Sequence, residues 1–448
     1  MKIYFVSLGC DKNLVDSEYM LGLLRDAGHT LTEEESEADA IVINTCCFIH
    51  DAKEESIETI LEAASYKDEE NGCCRVLIVT GCLAERYRSE IIESIPEVDA
   101  ILGTASFDEI AEVLSKAEAG EKSEVYKELT YLPLPEVKRI NTTCGYTAYL
   151  KIADGCEKFC TYCVIPSIRG KYRSVPMERI LAEAEQLAKD GAKELILVAQ
   201  ETTLYGVDLY GKKMLPELLK KLCAIEGPEW IRLLYCYPEE ITDELIQVMK
   251  QEKKICHYLD LPIQHVSDTV LKRMGRRTTK KELLQLIGKL RRSMPDMVLR
   301  TSLITGFPGE TEEEHKEVLD FVEKGRFDRL GVFTYSKEEN TPAAKMKGQV
   351  TMKEKRRRQK EIMKLQQRIA FENAEKRIGK YYTVLIEGKM PQDNVYLART
   401  YMDAPNIDGY LFVESEEHYE SGEFVKVKVT GARGYDLVGV NIHKKKII

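Results

Sequence analysis

"KIADGCEKFCTYCVIPSIRG", residues 151–170, places Cys156, Cys160 and Cys163 three and then two residues apart, with no fourth cysteine at a metal-ligand spacing after Cys163. A structural zinc site takes four ligands in one closed shell. An iron–sulfur cluster that only carries electrons also takes four cysteines. With three thiolates, one iron of such a cluster keeps an open face where a small molecule can coordinate. A filled corner serves structure or electron transfer; an unfilled one serves chemistry.

The cysteine run sits at the end of an apolar strand, "AYLKIAD" (148–154), that opens a strand–helix alternation. The strands that follow are "ELILVAQ" (194–200), "WIRLLYC" (230–236), "HYLDLP" (257–262), "MVLRTSLITG" (297–306) and "RLGVFTYS" (329–336). Amphipathic stretches such as "SVPMERILAEAEQLAKDGA" (174–192) separate them. Six such units fall short of the eight that close a triose-isomerase barrel, which predicts a partial, open barrel. Upstream, "KIYFVSLG" (2–9), "AIVINT" (40–45), "RVLIVTG" (75–81) and "DAILG" (99–103) are continuous apolar runs, as buried parallel strands require. They predict an open, doubly wound sheet. "NLVDSEYMLGLLRDAG" (13–28) reads as a helix with Asn13 as N-cap, Asp16 in the first turn and Gly28 as the stop.

Downstream, "YYTVLIEG", "NVYLART", "GYLFVES", "EFVKVKVTGA" and "DLVGVNI" are short strands with turn residues between them. They predict a small antiparallel barrel like an OB fold. The fold class is therefore α/β: an open parallel sheet, a six-strand partial barrel and a small β-barrel. The expected boundaries are residues 1–125, a linker at 126–143, the partial barrel at 144–352, a connecting helix at 353–379 and the small barrel at 380–448.

Across 448 residues, 44% hydrophobic and 31% charged content is ordinary for a soluble globular protein. The net charge of −10 argues against a general nucleic-acid binder but leaves room for a local basic face. The Arg356–Arg358 run of the connecting helix reads as a solvated face, with RNA contact the alternative. "IYFVSL" is too short for a signal peptide, and no apolar run approaches the ~20 residues of a membrane helix, so a cytoplasmic protein without membrane contact is expected. The 13 cysteines should then stay reduced. Cys223 and Cys236 read as buried small hydrophobes.

A second trio is spread over the first domain. Cys10, Cys46 and Cys82 each follow one of its strands. The carboxyl ends of neighbouring parallel strands form the ligand crevice of such a sheet, so three thiols distant in sequence would converge there. Cys73 and Cys74 lie off this pattern, and Cys47 is a bystander or a substitute ligand.

Cys-x3-Cys-x2-Cys after the first strand of a partial barrel, with Tyr162 before the third cysteine, resembles the radical S-adenosylmethionine (SAM) superfamily. Across the whole chain, a three-cysteine domain, this barrel and a TRAM-like β-barrel resemble the methylthiotransferases. That resemblance implies two 4Fe–4S clusters, one on Cys10, Cys46 and Cys82 and one on Cys156, Cys160 and Cys163. It also implies SAM as radical source and methyl donor, and an electron donor such as flavodoxin or ferredoxin. Tyr162, Glu201 at the end of "LVAQE" and Ser302 in "RTSLITGFPGETEEE" would border SAM. Gln200 is expected to point elsewhere. "GFPGET" also reads as a helix entry, with Thr311 as N-cap and Glu314 as its capping-box partner. Gln264 and His265 are expected at the same mouth.

The methylthiotransferases divide by substrate. "SLGCDKNLVDSE" (7–18) and "ARTYMDAPNIDG" (398–409) resemble the branch that modifies an aspartate of small-subunit ribosomal protein number twelve, although Asp11 and Cys47 depart from its usual proline and glycine. Ten acidic against six basic residues over 380–443 suit a basic protein partner better than tRNA phosphates; Lys444–Lys446 would reduce that balance from −4 to −1. The alternatives are a tRNA adenosine methylthiotransferase and a non-enzymatic iron–sulfur protein that docks on ribosomes.

Overall fold

The computed structural model describes residues 1–68, 70–391 and 394–442; Asp393 and Lys444–Lys446, which enter the charge balance, lie outside them. The first sheet holds β1 (Lys2–Ser7), β2 (Thr30–Leu31), β3 (Ala40–Thr45), β4 (Val76–Gly81), β5 (Ala100–Leu102) and β6 (Ser123–Val125) in the order β2-β1-β3-β4-β5-β6. Every pairing is parallel. All residues of β3 and β4 are buried, because helices cover both faces. The two edge strands were not anticipated. At two and three residues, with one apolar side chain each, they carry no apolar run to read.

Helix α1 (Asp11–Asp26) begins two residues before the expected N-cap. Asn13 is buried inside it, and its amide donates to the carbonyls of Leu8 (3.0 Å) and Thr45 (2.9 Å). That side chain therefore ties the helix to the ends of two strands and is not free to cap. Gly28, at φ +88°, does follow the helix end, its N–H donating to the Arg25 carbonyl.

The second sheet contains β7 (Thr147–Lys151), β10 (Glu194–Val198), β11 (Trp230–Leu233), β12 (Ile255–Asp260), β13 (Val298–Thr305) and β14 (Arg329–Thr334), parallel and in chain order. β7 and β14 remain edges, so the barrel is open as expected. A short antiparallel pair, β8 (Ala153–Asp154) with β9 (Arg173–Ser174), pinches the base of the cysteine loop between them.

The outward side chains of this half-barrel, including Leu150, Leu197, Leu259 and Leu299, pack against its helices. Its inner residues Tyr149, Ile196, Val198 and Tyr258 join Val384, Ile386, Val413 and Val427 of the small barrel in a second core. The small barrel closes through β15 (Tyr381–Lys389), β16 (Val395–Thr400), β17 (Leu411–Glu414), β19 (Asp436–Asn441) and β18 (Phe424–Arg433). Its pairings are antiparallel except β17 with β19, where a parallel pair completes the closure.

The proline-bearing connection between the first two domains has no strand or helix over 126–143, yet it is packed. Arg139 in it is buried, pairs with Glu18 (3.4 Å) and Glu183 (3.0 Å), and donates to the Tyr149 carbonyl (2.7 Å). It works as a strap across the domain seam. Among the described residues, no helix is long and apolar enough to cross a membrane.

Candidate active site

Cys10, Cys46 and Cys82 lie just beyond the carboxyl ends of β1, β3 and β4, three strands adjacent in the sheet. The turns that deliver them need glycine. Gly9 is at φ +92°, and a Cβ there would stand 2.9 Å from the Cys46 sulfur. Gly81 is at φ +90°, and a Cβ there would meet the Asn44 side-chain oxygen at 2.2 Å. Ser56 holds the Cys46 loop by accepting from its N–H (3.0 Å) and donating to its carbonyl (2.8 Å).

Burial pushes the Cys46 and Cys82 thiols up, and the neighbouring thiols of the same trio add to it. Cys47 is buried nearby, but its carbonyl is engaged by Arg86 (3.1 Å). Cys73 and Cys74 precede β4 and so belong to the opposite end of the sheet. In the half-barrel, Cys236 is fully buried, as the reading as a small hydrophobe requires, and Cys223 is partly buried and packs against the same core.

Cys156, Cys160 and Cys163 share one tight loop. The Cys163 N–H donates to the Cys160 carbonyl (3.0 Å), and the Cys156 N–H donates to the Gly170 carbonyl (3.1 Å). Burial first, then the sister thiols, pushes Cys156 up to about 11 and Cys163 up to about 12. Crowded, buried thiols of this kind become thiolates only when a cation replaces their protons, which is what a metal cluster does. The donor sets therefore fit clusters. Among the described residues, no three His, Cys, Asp or Glu side chains close on the spacing of a single metal ion; cysteines at the corners of an iron–sulfur cube stand further apart.

Glu201 is fully buried beside this loop. One carboxylate oxygen accepts from the Thr203 N–H (2.9 Å) and hydroxyl, while the other has no hydrogen-bond partner and lies 3.9 Å from the Lys158 ammonium. Burial raises its pKa to about 7 against the pull of Thr203 and Lys158. An orphaned carboxylate oxygen next to the cysteine loop is a ready acceptor for an amine.

Gln200 turns to the same loop after all. It donates to Asp154 (2.9 Å), two residues before Cys156, because β10 ends at Val198 and strict alternation no longer applies. The Tyr162 ring packs edge-on against Phe307 (6.3 Å between centroids). Ser302 is half-buried on the face of β13 that also carries Arg300 and Ile304. The Thr311–Glu314 capping box forms in both directions. Gln264 is held in a left-handed turn (φ +69°) that bridges to β13. His265 is buried, its Nδ1 accepts from the Ser267 N–H (3.0 Å), and burial holds its pKa down at about 3.

Sequence reasoning passed over the residues that join the two trios. Arg169, 2% exposed, pairs with Asp16 (2.7 Å) and Asp154 (3.3 Å) and donates to the Asn13 side-chain oxygen. That same Asn13 oxygen receives the Cys82 thiol at 3.8 Å. Lys151 completes the cluster against Asp16 and Asp154 (3.5 Å). Asp16, expected in the first turn of the helix, is thus a buried partner across the domain seam. Nearby, Lys12 sits 3.2 Å over the Tyr235 ring, whose hydroxyl donates to Asp11 (3.0 Å). The signal was present: Lys151, Asp154 and Arg169 are charges inside or beside apolar runs, where only pairing makes them tolerable.

Three family models match the chain: the uncharacterized protein family UPF0004 over residues 2–103, the Radical SAM superfamily over 150–322 and the TRAM domain over 378–442. The "Ribosomal protein uS12 methylthiotransferase RimO" of Lachnoclostridium phytofermentans is 66% identical over 439 residues, covering 98% of this chain and 99% of the relative. The chain belongs to the RimO family. Proteins of the same description from Clostridium botulinum strain Hall and Pelotomaculum thermopropionicum are 52% and 50% identical, each covering at least 98% of both chains. Membership makes the chain a radical-SAM methylthiotransferase.

Among solved structures, the radical SAM methyltransferase TsrM from Kitasatospora setae matches with a TM-score of 0.56 at 13% identity, covering 76% of each chain. The cobalamin-dependent radical SAM enzyme OxsB matches with a TM-score of 0.50 at 15% identity, covering 77% of this chain and 54% of that one. At such identity these two show the fold alone.

Proposed function

We propose that this enzyme adds a methylthio group to the β-carbon of an aspartate in small-subunit ribosomal protein uS12, in the cytoplasm, with two 4Fe–4S clusters and SAM. End-to-end identity with relatives described as uS12 methylthiotransferases carries the substrate assignment and favours it over a tRNA adenosine or a non-enzymatic role. Residues 1–125 would hold one cluster through Cys10, Cys46 and Cys82. Residues 144–352 would hold the other through Cys156, Cys160 and Cys163, the helix at 353–379 leading on to the small barrel at 380–448. When bound, the clusters and SAM supply the electron, the hydrogen-abstracting radical, the sulfur and the methyl group.

The chain's own contribution is placement. The buried Glu201 carboxylate is available to accept the SAM amino group, and Ser302 and the Tyr162 segment would border the same ligand. The Arg169 network, by excluding water and fixing the seam, would hold the two cysteine loops in register. Glu414, Glu416, Glu420 and Glu423 form an exposed acidic edge on the small barrel that suits a basic ribosomal protein. The reductant is a small one-electron protein such as flavodoxin or ferredoxin.

The test is anaerobic reconstitution. Wild type should hold about eight irons, and Cys46→Ala and Cys160→Ala about four each. Cys160→Ala should yield no 5′-deoxyadenosine, whereas Cys46→Ala should still yield it but leave uS12 without the thiomethyl mass. Fully methylthiolated uS12 from Cys46→Ala would overturn the two-cluster assignment, and a mark on tRNA instead of uS12 would overturn the substrate.

A further inference from the structure

The connecting helix carries a charge pattern that the proposed reaction does not use. Of its three consecutive arginines, two are committed to ion pairs, Arg357 at the surface and Arg358 buried. Arg357 pairs with Glu354, Glu361 and Glu312, and Arg358 pairs with Glu310 and Glu354. Arg356 is exposed and joins Lys353, Lys360 and Lys364 along one line of the helix Met352–Glu375. The intervals of three, four and four residues keep these four side chains on one face. At 1.5 Å per residue they span about 16 Å. Lys345 and Lys347, on the segment that leads into the helix, are exposed as well. Among the described residues, the side chains of these six cations form no ion pair or hydrogen bond. The acidic residues of the helix nearest them, Glu354 and Glu361, are already spent on Arg357, Arg358 and His315.

In a chain of net charge −10, four unpaired cations on one helix face, with two more on the segment before it, are not an average surface. Among the described residues, no internal counter-ion offsets their mutual repulsion, which leaves the face open to an anionic partner. A basic ribosomal protein would be repelled here, and the acidic edge of the small barrel is the surface that suits it. A polyanion with regularly spaced charges fits the line of cations.

We infer that the outward face of this helix docks on the phosphate backbone of ribosomal RNA, so that the enzyme engages its protein target in the RNA-bound form. The inference rests on the uS12 reading only for the identity of the RNA. The acidic edge and the basic helix then divide the two components of a ribonucleoprotein between them.

The experiment uses the anaerobically reconstituted full chain and three probes: small ribosomal subunits from a strain lacking the enzyme, protein-free RNA extracted from them, and free uS12. Wild type should bind the protein-free RNA with an affinity that falls steeply with salt. The charge-reversed variant Lys353→Glu/Arg356→Glu/Lys360→Glu/Lys364→Glu should lose about 100-fold in RNA affinity at low salt and about three to four units of log–log salt slope. The corresponding quadruple glutamine variant should lose less and in the same direction. Reversing Lys220 and Lys250, exposed cations on other helices, should change neither quantity. Methylthiolation of free uS12 should be unaffected by any of these substitutions, while modification on intact subunits should fall with the RNA affinity.

Undiminished RNA binding by the charge-reversed variant would overturn the inference, as would lost affinity for free uS12, which would make the face a protein-docking surface. A chain that binds RNA through this helix but leaves uS12 unmarked would refute the proposed reaction and spare the docking face.

Discussion

At Arg169 a guanidinium is kept from water by acceptors on two domains: Asn13 and Asp16 on one side, Asp154 on the other. Burial alone would push Asp154 up, but Lys151 and Arg169 outweigh it and hold that carboxyl well below its usual range. Arg169→Met would leave two buried carboxylates sharing one lysine. Removing one partner of a buried ion cluster costs about 3–5 kcal/mol, so the urea midpoint should fall accordingly; a loss under about 1 kcal/mol would show that water replaces the guanidinium freely. Arg169→Lys should rescue little, because a single ammonium cannot reproduce the planar fork.

Glu201 makes a prediction of opposite sign. Its pKa rises from 4.5 to about 7 on folding, so between those values the folded chain keeps a proton that the unfolded chain has released. Stability of the SAM-free protein should therefore fall as pH rises from about 4.5 to about 7, by roughly 3 kcal/mol from this group. Glu201→Gln should remove that part of the slope, read from denaturant midpoints at several pH values.

Among the secondary-structure elements, the turns after the strands carry the site. Gly81 and Gly28 have nearly the same φ, +90° and +88°, but a Cβ on Gly81 would collide with Asn44 and Thr45 while one on Gly28 meets open space. Gly28→Ala should cost about 1 kcal/mol from the left-handed backbone alone. Gly81→Ala should cost at least about twice that and should displace Cys82, lowering the iron bound by the first domain. Equal thermal shifts for the two variants would show that the β4 turn relaxes without cost.

For the molecule as a whole, the small barrel closes the lower mouth of the half-barrel. Arg399 enters it to meet Glu194 (2.7 Å) and is steadied by Glu387 (2.6 Å), while Glu194 also binds Arg232 (2.7 Å). Tyr258 donates to Asp408 (2.7 Å), and Trp230 packs edge-on against Phe424 (4.8 Å). A chain ending at residue 379 would expose this apolar floor and leave Glu194 with one partner. It should aggregate, as scored by light scattering at micromolar concentration. A monodisperse truncated chain that binds iron normally would contradict this account of the seam.

The sequence by itself determined the layers and the ligand candidates. Runs of apolar residues at strand length, separated by helical periods, leave few ways to be buried, and both cysteine trios are set by where those strands end. It also held the capping box at Thr311, because that interaction is local. Only the tertiary structure decided what Asn13, Asp16, Lys151, Asp154 and Arg169 do, and which arginines of the 356–358 run face solvent. Those roles depend on partners up to 156 residues apart, and a buried charge finds its counter-charge through folding, not through its neighbours in the chain.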